Sequence, residues 1–195
     1  MTGLEHRKED ADIGGVQMSG GKGAKDSSWD VTVIGGGIVG SAIARELVRR
    51  DHSVCVIEKE PDVSSGTSKA NSGVVHSAIY NATGSLKAKY CLTGNRMYGD
   101  WARELGVEAP FVGKLTVATN DEDLPELEKL MEKGVRNGVE GLRIIDEAEA
   151  RRMEPNVNAR WALDIPTAGI VSPYTITIAA AENACRNGAR FMLET

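Results

Sequence analysis

The sequence predicts an α/β fold that opens with a β-α-β unit of a parallel sheet. Three observations predict it. Val31–Ile34 is rich in β-branched apolar residues, as expected for a short buried strand. Three glycines with the spacing G-x-G-x-x-G then lead into a helix predicted over Ile38–Arg50. A second apolar strand, Ser53–Ile57, follows that helix. This order is typical of a Rossmann-like nucleotide-binding unit.

Each of the three glycines has a physical reason to be glycine. Gly35 permits the tight turn after the strand, and Gly37 lets the backbone approach a pyrophosphate. Gly40 lets the helix pack closely on the strand. The helix N-terminus adds free N–H groups and a partial positive charge, which favour a diphosphate. A glycine-rich turn without chemistry is the alternative, and the flanking strands favour dinucleotide binding.

An acidic residue ends the second predicted strand. Glu58 lies 23 positions after Gly35, close to the spacing of about 20 for an acid that binds a ribose 2′-hydroxyl. A carboxylate at this place repels a 2′-phosphate, so the sequence disfavours NADP. A solvated charge at a strand end is the alternative interpretation of Glu58 alone.

Composition excludes several classes of function. The chain has 195 residues, of which 41% are hydrophobic and 26% charged, and its net charge is -5, so a nucleic-acid partner has no electrostatic support. We expect no metal site, because the cysteines Cys55, Cys91 and Cys185 form no C-x-x-C pattern. Cys55 is expected in a buried strand as a small hydrophobe. These features fit a cytoplasmic protein.

The predicted faces of two helices can be stated residue by residue. In the first helix, Ile43 and Leu47 are expected to face the sheet and Arg45 to face water. A long helix over Ser85–Gly106, capped by Ser85, carries an apolar series at helical spacing. We expect that series to lie in the core: Leu86, Tyr90, Met97, Trp101 and Leu105.

The remaining predicted elements alternate between strands and helices. A strand is expected over Lys114–Thr119, followed by an amphipathic helix over Asp121–Gly138. Asp146 begins a capping box before a short helix. Ser172 and Pro173 start a further helix that ends at Gly188, and a strand follows over Ala189–Leu193.

The segment Ser64–Gly73 bears on which dinucleotide is bound. It is dense in hydroxyl groups, small residues and glycine, and it runs on to Val74, Val75 and His76. A polar surface loop is the simplest interpretation. A loop of this composition after the ribose-binding acid also suits a long ligand that needs further contacts, which favours FAD over NAD.

Four segments together carry a resemblance to a known family: Gly35–Gly40, Glu58–Lys59, Gly66–His76 and Gly84–Lys89. In these residues the chain resembles the FAD-dependent oxidoreductases of the D-amino-acid oxidase superfamily. It looks most similar to the anaerobic, or type 2, glycerol-3-phosphate dehydrogenases. L-2-hydroxyglutarate dehydrogenases are similar through the Asn-Ser-Gly-Val-x-His stretch.

The resemblance implies a domain organisation. It predicts a first part of the FAD-binding domain over 29–90, a substrate segment over 91–165, and a second part of the FAD-binding domain over 166–195. Residues 1–28 are expected to be a disordered tail for a different reason, because they are polar, charged and rich in glycine. The start of an α+β substrate domain is thus inserted into the Rossmann-like FAD-binding domain. Because such enzymes are roughly twice as long or more, we expect an N-terminal portion, incomplete at its C-terminus.

The resemblance also assigns roles to residues. His76 is the candidate catalytic residue, as a base, a hydrogen-bond partner or a covalent flavin anchor. The residues expected to bind FAD are Gly35, Gly37, Ile38, Val39, Gly40, Glu58, Lys59, Thr67, Ser68, Asn71 and Ser72.

One departure from the family pattern lies beside His76. Family members usually read His-Ala-Gly where this chain has His76, Ser77 and Ala78. The change adds a Cβ atom where glycine gives the backbone more freedom.

The implied reaction is oxidation of a small hydroxy substrate by hydride transfer to flavin N5, with sn-glycerol 3-phosphate as the expected substrate. Lys87, Lys89 and Arg96 are candidate cations for its phosphate. The electron acceptor would be a quinone, oxygen or a partner subunit, and the full-length enzyme could associate peripherally with a membrane.

Three other functions stay open at this point. One is a flavoenzyme that oxidises L-2-hydroxyglutarate, an amino acid or an amine. Another is an NAD-dependent dehydrogenase. The third is an incomplete nucleotide-binding module without catalysis.

Overall fold

A computed structural model describes residues 28–195 of the chain. The predicted tail, residues 1–28, lies outside the described residues except for Ser28. The strands are β1 (Val31–Ile34), β2 (Val54–Ile57), β3 (Val74–Val75), β4 (Leu115–Ala118), β5 (Arg143–Asp146), β6 (Trp161–Asp164), β7 (Gly169–Ile170) and β8 (Arg190–Met192). The helices are α1 (Ile38–Val48), α2 (Leu86–Glu104), α3 (Leu124–Arg136), α4 (Glu147–Met153) and α5 (Pro173–Arg186).

The described chain divides into two compact units. The first contains the residues up to Lys69 together with Thr177–Thr195, and the second is Ala70–Ile176. Helix α5 therefore begins in the second unit and ends in the first. The domain boundaries expected from the sequence divide the chain into FAD-binding and substrate-binding regions, so they stay predictions.

The first unit contains a parallel sheet with the order β1-β2-β8. Val31 pairs with Val54 and Val56 pairs with Phe191, so the strand that precedes the glycine turn and the strand that leads to Glu58 are neighbours. The core beside this sheet combines strand residues with small residues of α1 and α5: Ala44, Val48, Val54, Val56, Val63, Ala181, Ala184, Ala189, Phe191 and Leu193. This unit confirms the predicted α/β class with a parallel sheet.

The second unit is built on an antiparallel sheet with the order β4-β6-β5. Leu127 of α3 lies in a core with Leu163 and Ile165. On its other side, Ala150 of α4 lies in a core with Ala162 and Ile145. A separate two-stranded ribbon pairs β3 with β7, with Val75 opposite Gly169. Strands β5 and β6 are short, and we did not predict them from the sequence.

The predicted orientation of α1 is wrong for Ile43 and Arg45, whereas Leu47 packs against the core of the first unit as predicted. Ile43 is 45% exposed, whereas Arg45 is buried at 4%. The buried face instead contains Gly40, Ser41, Ala44, Arg45 and Val48. The Arg45 side chain can be buried because Nε donates to Oδ1 of Asn183 at 3.0 Å and its guanidinium pairs with Glu46 at 2.9 Å.

The predicted core face of α2 is wrong for three of its five residues, whereas Trp101 and Leu105 are half-buried. Leu86, Tyr90 and Met97 are all exposed by 60% or more. The residues that α2 buries are Ala88, Asn95 and Ala102, because small residues let the helix pack closely. The buried Asn95 is held by a bond from Nδ2 to the carbonyl of Thr167 at 2.8 Å.

The predicted helix caps are confirmed. The hydroxyl of Ser85 accepts from the N–H of Ala88 at 3.1 Å, and Asp146 accepts from the N–H of Glu149 at 2.8 Å. The second half of the capping box is absent, because the Glu149 side chain pairs with Arg143. Ser172 accepts from Thr175 N–H at 3.3 Å at the start of α5.

Candidate functional site

The turn between β1 and α1 requires glycine at two positions for different reasons. Gly35 has a φ angle of +102°, which side chains rarely tolerate. A Cβ atom on Gly40 would overlap the carbonyl oxygen of Gly35, so the helix lies directly against the turn. The tight turn and the close packing predicted from the glycine spacing are both confirmed.

Gly37 lets the Ser68 side chain lie close to the start of α1. A Cβ atom there would lie 2.9 Å from Oγ of Ser68, and the N–H of Ile38 donates to that same hydroxyl at 3.0 Å. The first turn of α1 contains no acidic residue, so no side-chain charge on that turn compensates the partial positive charge of the helix end. This end of α1 is suited to an anionic group such as a pyrophosphate.

Glu58 is held by the main chain around the glycine turn. Its Oε2 accepts from the N–H of Gly36 at 2.6 Å, and its Oε1 accepts from the N–H of Glu60 at 3.0 Å. Partial burial raises the pKa of Glu58, but the N–H donors of Glu60, Gly36 and Lys59 and the Lys59 charge outweigh burial, so the pKa lies below its usual value. Glu58 is therefore a carboxylate at neutral pH, beside the turn.

The other predicted cofactor residues fall into both compact units. Lys59 and Thr67 are exposed in the first unit, near Ser68 in the sequence. Asn71 and Ser72 belong to the second unit and are exposed there. The Asn71 side chain accepts from the N–H of Gly73 at 2.9 Å, which shapes the turn before β3. Their roles toward a cofactor stay predictions.

His76 lies on the rim of a small cavity in the second unit. The cavity has a volume of about 260 Å³, and its lining consists of His76, Ser77, Ala78, Ile79, Tyr80, Asn81, Lys87 and Cys91. The His76 side chain is exposed, and its carbonyl accepts from the Cys91 thiol at 3.5 Å. Ligand pockets for drug-sized molecules measure roughly 300–1,000 Å³, so this cavity suits a smaller molecule.

Ala78 adopts the conformation that the family's glycine would favour. Its φ angle is +73°, in the left-handed region, and the residue is 2% exposed. An ordinary residue in this region is strained by about 1–2 kcal/mol. The surrounding bonds hold it there: the carbonyl of Ala78 accepts from the N–H of Asn81 at 3.1 Å and from Nδ2 of Asn137 at 2.9 Å.

The three cations predicted as candidates for a phosphate, Lys87, Lys89 and Arg96, lie in different environments. Lys87 lines the cavity with His76. Arg96 is occupied, because it pairs with Glu140 at 2.6 Å and donates to the carbonyl of Gly138. Lys89 lies 5.7 Å from the ring centre of Tyr90 on the exposed surface of α2.

Comparison with known proteins decides the family. The sequence profile of the family described as FAD dependent oxidoreductase matches residues 30–195. The chain belongs to this family. The assignment confirms the predicted resemblance and agrees with the parallel β-α-β unit and the glycine turn.

Two curated relatives of this family member have different substrates in their names. The chain is 42% identical to a glycerol 3-phosphate dehydrogenase of Caloramator mitchellensis over 167 residues, 85% of this chain and 35% of that protein. It is 40% identical to the human mitochondrial L-2-hydroxyglutarate dehydrogenase over 166 residues, 84% of this chain and 36% of that protein. The chain thus spans about a third of the length of these curated relatives.

Solved structures resemble the fold of this family member. L-α-glycerophosphate oxidase from Mycoplasma pneumoniae with FAD bound superposes with a TM-score of 0.81 and 29% identity, covering 87% of this chain and 46% of that one. Glycine oxidase from Geobacillus kaustophilus gives a TM-score of 0.76 and 29% identity, covering 85% of this chain and 46% of that one.

The described residues contain no helix long and apolar enough to span a membrane.

The sequence does not reveal one contact between a lysine and a tyrosine. Tyr80 and Lys114 meet in the second unit, with Nζ of Lys114 3.0 Å from the phenol oxygen. They are 34 positions apart in the sequence, and neither stands in a recognisable motif. The alternating pattern of Lys114–Thr119 predicts a strand but not the partner of its first side chain.

Proposed function

We propose that this chain is the FAD-binding N-terminal part of an oxidoreductase that oxidises a small hydroxy substrate, sn-glycerol 3-phosphate, to its carbonyl product. The family match carries the choice of FAD, and Glu58, held as a carboxylate against the glycine turn, supports binding of its adenine ribose. The substrate is supported by the 42% identity to a glycerol 3-phosphate dehydrogenase and by the structural likeness to a glycerophosphate oxidase.

The residues present fit the FAD that the family implies. The turn leaves no room for a Cβ atom at Gly40, and Gly37 adds no side chain to the start of α1. In our proposal the N–H groups at that start bind the pyrophosphate, and Glu58 accepts from the adenine ribose. Thr67 and Ser68 provide further hydroxyl groups. When bound, the flavin supplies a hydride acceptor for the carbon that carries the substrate hydroxyl.

His76 is proposed to accept the proton of that hydroxyl group. It is exposed at the cavity, and an imidazole can accept a proton near neutral pH. Asn81 and Ser77 provide hydrogen-bonding groups that could orient a small polar molecule.

A second candidate substrate is L-2-hydroxyglutarate, which the 40% identity to the human enzyme supports. The two substrates share a secondary hydroxyl group and differ in the anion beside it, a phosphate against a carboxylate. The electron acceptor is proposed to be a quinone, oxygen or a partner subunit, and the whole protein is proposed to be cytoplasmic or peripheral to the membrane.

Flavin binding tests the cofactor part of the proposal. The purified chain is incubated with FAD and passed through a gel-filtration column, and the flavin absorbance retained with the protein is measured. NADH is titrated in parallel. We expect retained FAD and weaker binding of NADH. Tight NADH binding without retained FAD would instead favour a nicotinamide-dependent enzyme.

The substrate part needs the full-length protein. We expect anaerobic addition of sn-glycerol 3-phosphate to bleach its bound flavin faster than L-2-hydroxyglutarate does. Bleaching by L-2-hydroxyglutarate alone would assign the second candidate. A folded full-length protein whose flavin neither compound reduces would overturn both.

A further inference from the structure

The turn that carries Tyr80 is fixed from α3. Nδ2 of Asn137 donates to the carbonyls of Ala78 and Asn81, at 2.9 and 3.0 Å. One helical turn earlier, Nζ of Lys133 donates to the carbonyl of Tyr80 at 2.8 Å. Lys133 of α3 and Asn137, directly after the helix, therefore bind three carbonyls of the segment from Ala78 to Asn81, which gives Tyr80 a defined position.

The phenol of Tyr80 is in turn held by β4. Nζ of Lys114 donates to the phenol oxygen at 3.0 Å and lies 4.4 Å from the ring centre. The phenol oxygen is also 2.7 Å from Oγ1 of Thr116. Lys114 lies directly before β4 and Thr116 lies within it, and side chains two residues apart in an extended chain lie on the same side. Since an ammonium has three N–H donors, Lys114 keeps donors that Tyr80 does not use.

The charges at this place are unbalanced. In the described part of the chain, no ion pair includes Lys114, Lys133 or Lys87. Lys129, on the same helix as Lys133, differs because it pairs with Glu126 at 2.6 Å. Lys114 and Lys133 are both half-buried, and a partly desolvated cation without a counter-charge attracts an anion.

The charged side chain in the lining of the cavity beside Tyr80 is also positive. Tyr80 belongs to its lining together with Lys87 and His76, and no acidic side chain contributes to that lining. A small molecule in the cavity therefore meets one titratable imidazole and one ammonium, and it reaches the ring of Tyr80. Lys114 does not line the cavity, but its Nζ contacts the phenol oxygen of Tyr80.

We propose that Tyr80, Lys114 and Lys87 form a subsite for the anionic group of a small substrate. The shared chemistry is a phosphate or a carboxylate, bound by the free N–H donors of Lys114 and by the charge of Lys87. Lys133 positions the turn and adds charge. That the bound anion belongs to the substrate of the oxidation rests on the proposed function. The existence of the anion subsite does not.

The test uses the whole chain without flavin and reads Tyr80 directly. Protein labelled with ¹³C in its four tyrosines is titrated with inorganic phosphate, sn-glycerol 3-phosphate and L-2-hydroxyglutarate while the ring resonances are followed by NMR. Tyr80→Phe assigns the Tyr80 resonance. We expect a saturable shift of that resonance. No shift with any of the three anions would overturn the subsite.

Charge variants test which side chains bind the anion. Lys114→Gln is expected to weaken binding at least tenfold, and Lys114→Arg is expected to restore most of it. Lys129→Gln is the matched control, because Lys129 is already paired with Glu126. Equal affinities for Lys114→Gln and Lys129→Gln, in proteins with unchanged thermal midpoints, would overturn the proposal. If Lys114→Gln fails to fold, Lys87→Gln carries the same comparison.

The same samples separate this proposal from the proposed function. Phosphate and sn-glycerol 3-phosphate binding without L-2-hydroxyglutarate binding assigns a phosphate subsite, and the reverse assigns a carboxylate subsite. A chain that shifts Tyr80 with an anion but retains no FAD keeps the subsite and contradicts the flavin proposal. A chain that retains FAD but shows no shift of the Tyr80 resonance supports the flavin proposal and contradicts the subsite.

Discussion

Oε2 of Glu58 accepts a hydrogen bond of 2.6 Å from the main-chain N–H of Gly36. The bond joins the end of β2 to the glycine turn after β1, across 22 positions of sequence. It fixes a carboxylate beside the place where a dinucleotide ribose is expected. Hydrogen bonds to a charged acceptor are worth about 1.5–3 kcal/mol, so this contact affects both stability and binding.

We predict that Glu58→Gln weakens FAD binding roughly tenfold or more, because a neutral amide accepts from a ribose hydroxyl less strongly than a carboxylate. The measurement is quenching of flavin fluorescence on titration with protein. Glu128→Gln, on the exposed surface of α3, is the control and should bind FAD as the unaltered chain does. Equal affinities for the two variants would refute the ribose role.

The pKa of Glu58 gives a second prediction, in acid. Because this pKa is lowered in the folded chain, the carboxylate stabilises the fold above about pH 4.3, the usual glutamate value. That contribution is lost as the pH falls through the lowered folded-state pKa. The stability deficit of Glu58→Gln, from urea unfolding, should therefore be larger at pH 7 than near pH 3. The same deficit at both pH values would contradict the lowered pKa.

Two glycine-to-alanine changes should have opposite effects. Gly40→Ala places a Cβ atom against the carbonyl oxygen of Gly35, and we expect a loss of at least about 2 kcal/mol in the free energy of unfolding. Gly94→Ala, within α2, meets no atom within 4 Å and should gain about 0.5–1 kcal/mol. Urea unfolding measures both. A tolerated Gly40→Ala would show that the turn can move away from α1.

The strain of the left-handed backbone at Ala78 can be measured by comparing its change to glycine with the same change at an alanine in a helix. Ala88→Gly, at a buried position of α2, should destabilise the fold by about 1–2 kcal/mol through lost helix propensity and lost methyl burial. Ala78→Gly loses a buried methyl too, but it relieves the strain at φ +73°. We expect its effect on the free energy of unfolding to be smaller by about 1–2 kcal/mol. Equal effects would mean that Ala78 is not strained.

Much of the fold was predictable because it depends on neighbours in sequence. The strand, glycine turn, helix and acid of the first unit follow each other within Val31–Glu58, and the caps at Ser85 and Asp146 are formed by residues three positions away. The orientation of helices was predicted less well. Arg45 is buried because Asn183, 138 positions later, accepts its N–H, and no local pattern contains that partner.

The sequence by itself determined the class of fold, the glycine turn after β1 and the acid beside it, because glycine spacing and strand order restrict the backbone locally. Only the tertiary structure decided which cations lack a counter-charge. Arg96 and Lys129 are paired with Glu140 and Glu126, whereas Lys114 meets Tyr80. Whether a charge is neutralised depends on side chains that packing brings together from distant positions, so residue type alone does not reveal it.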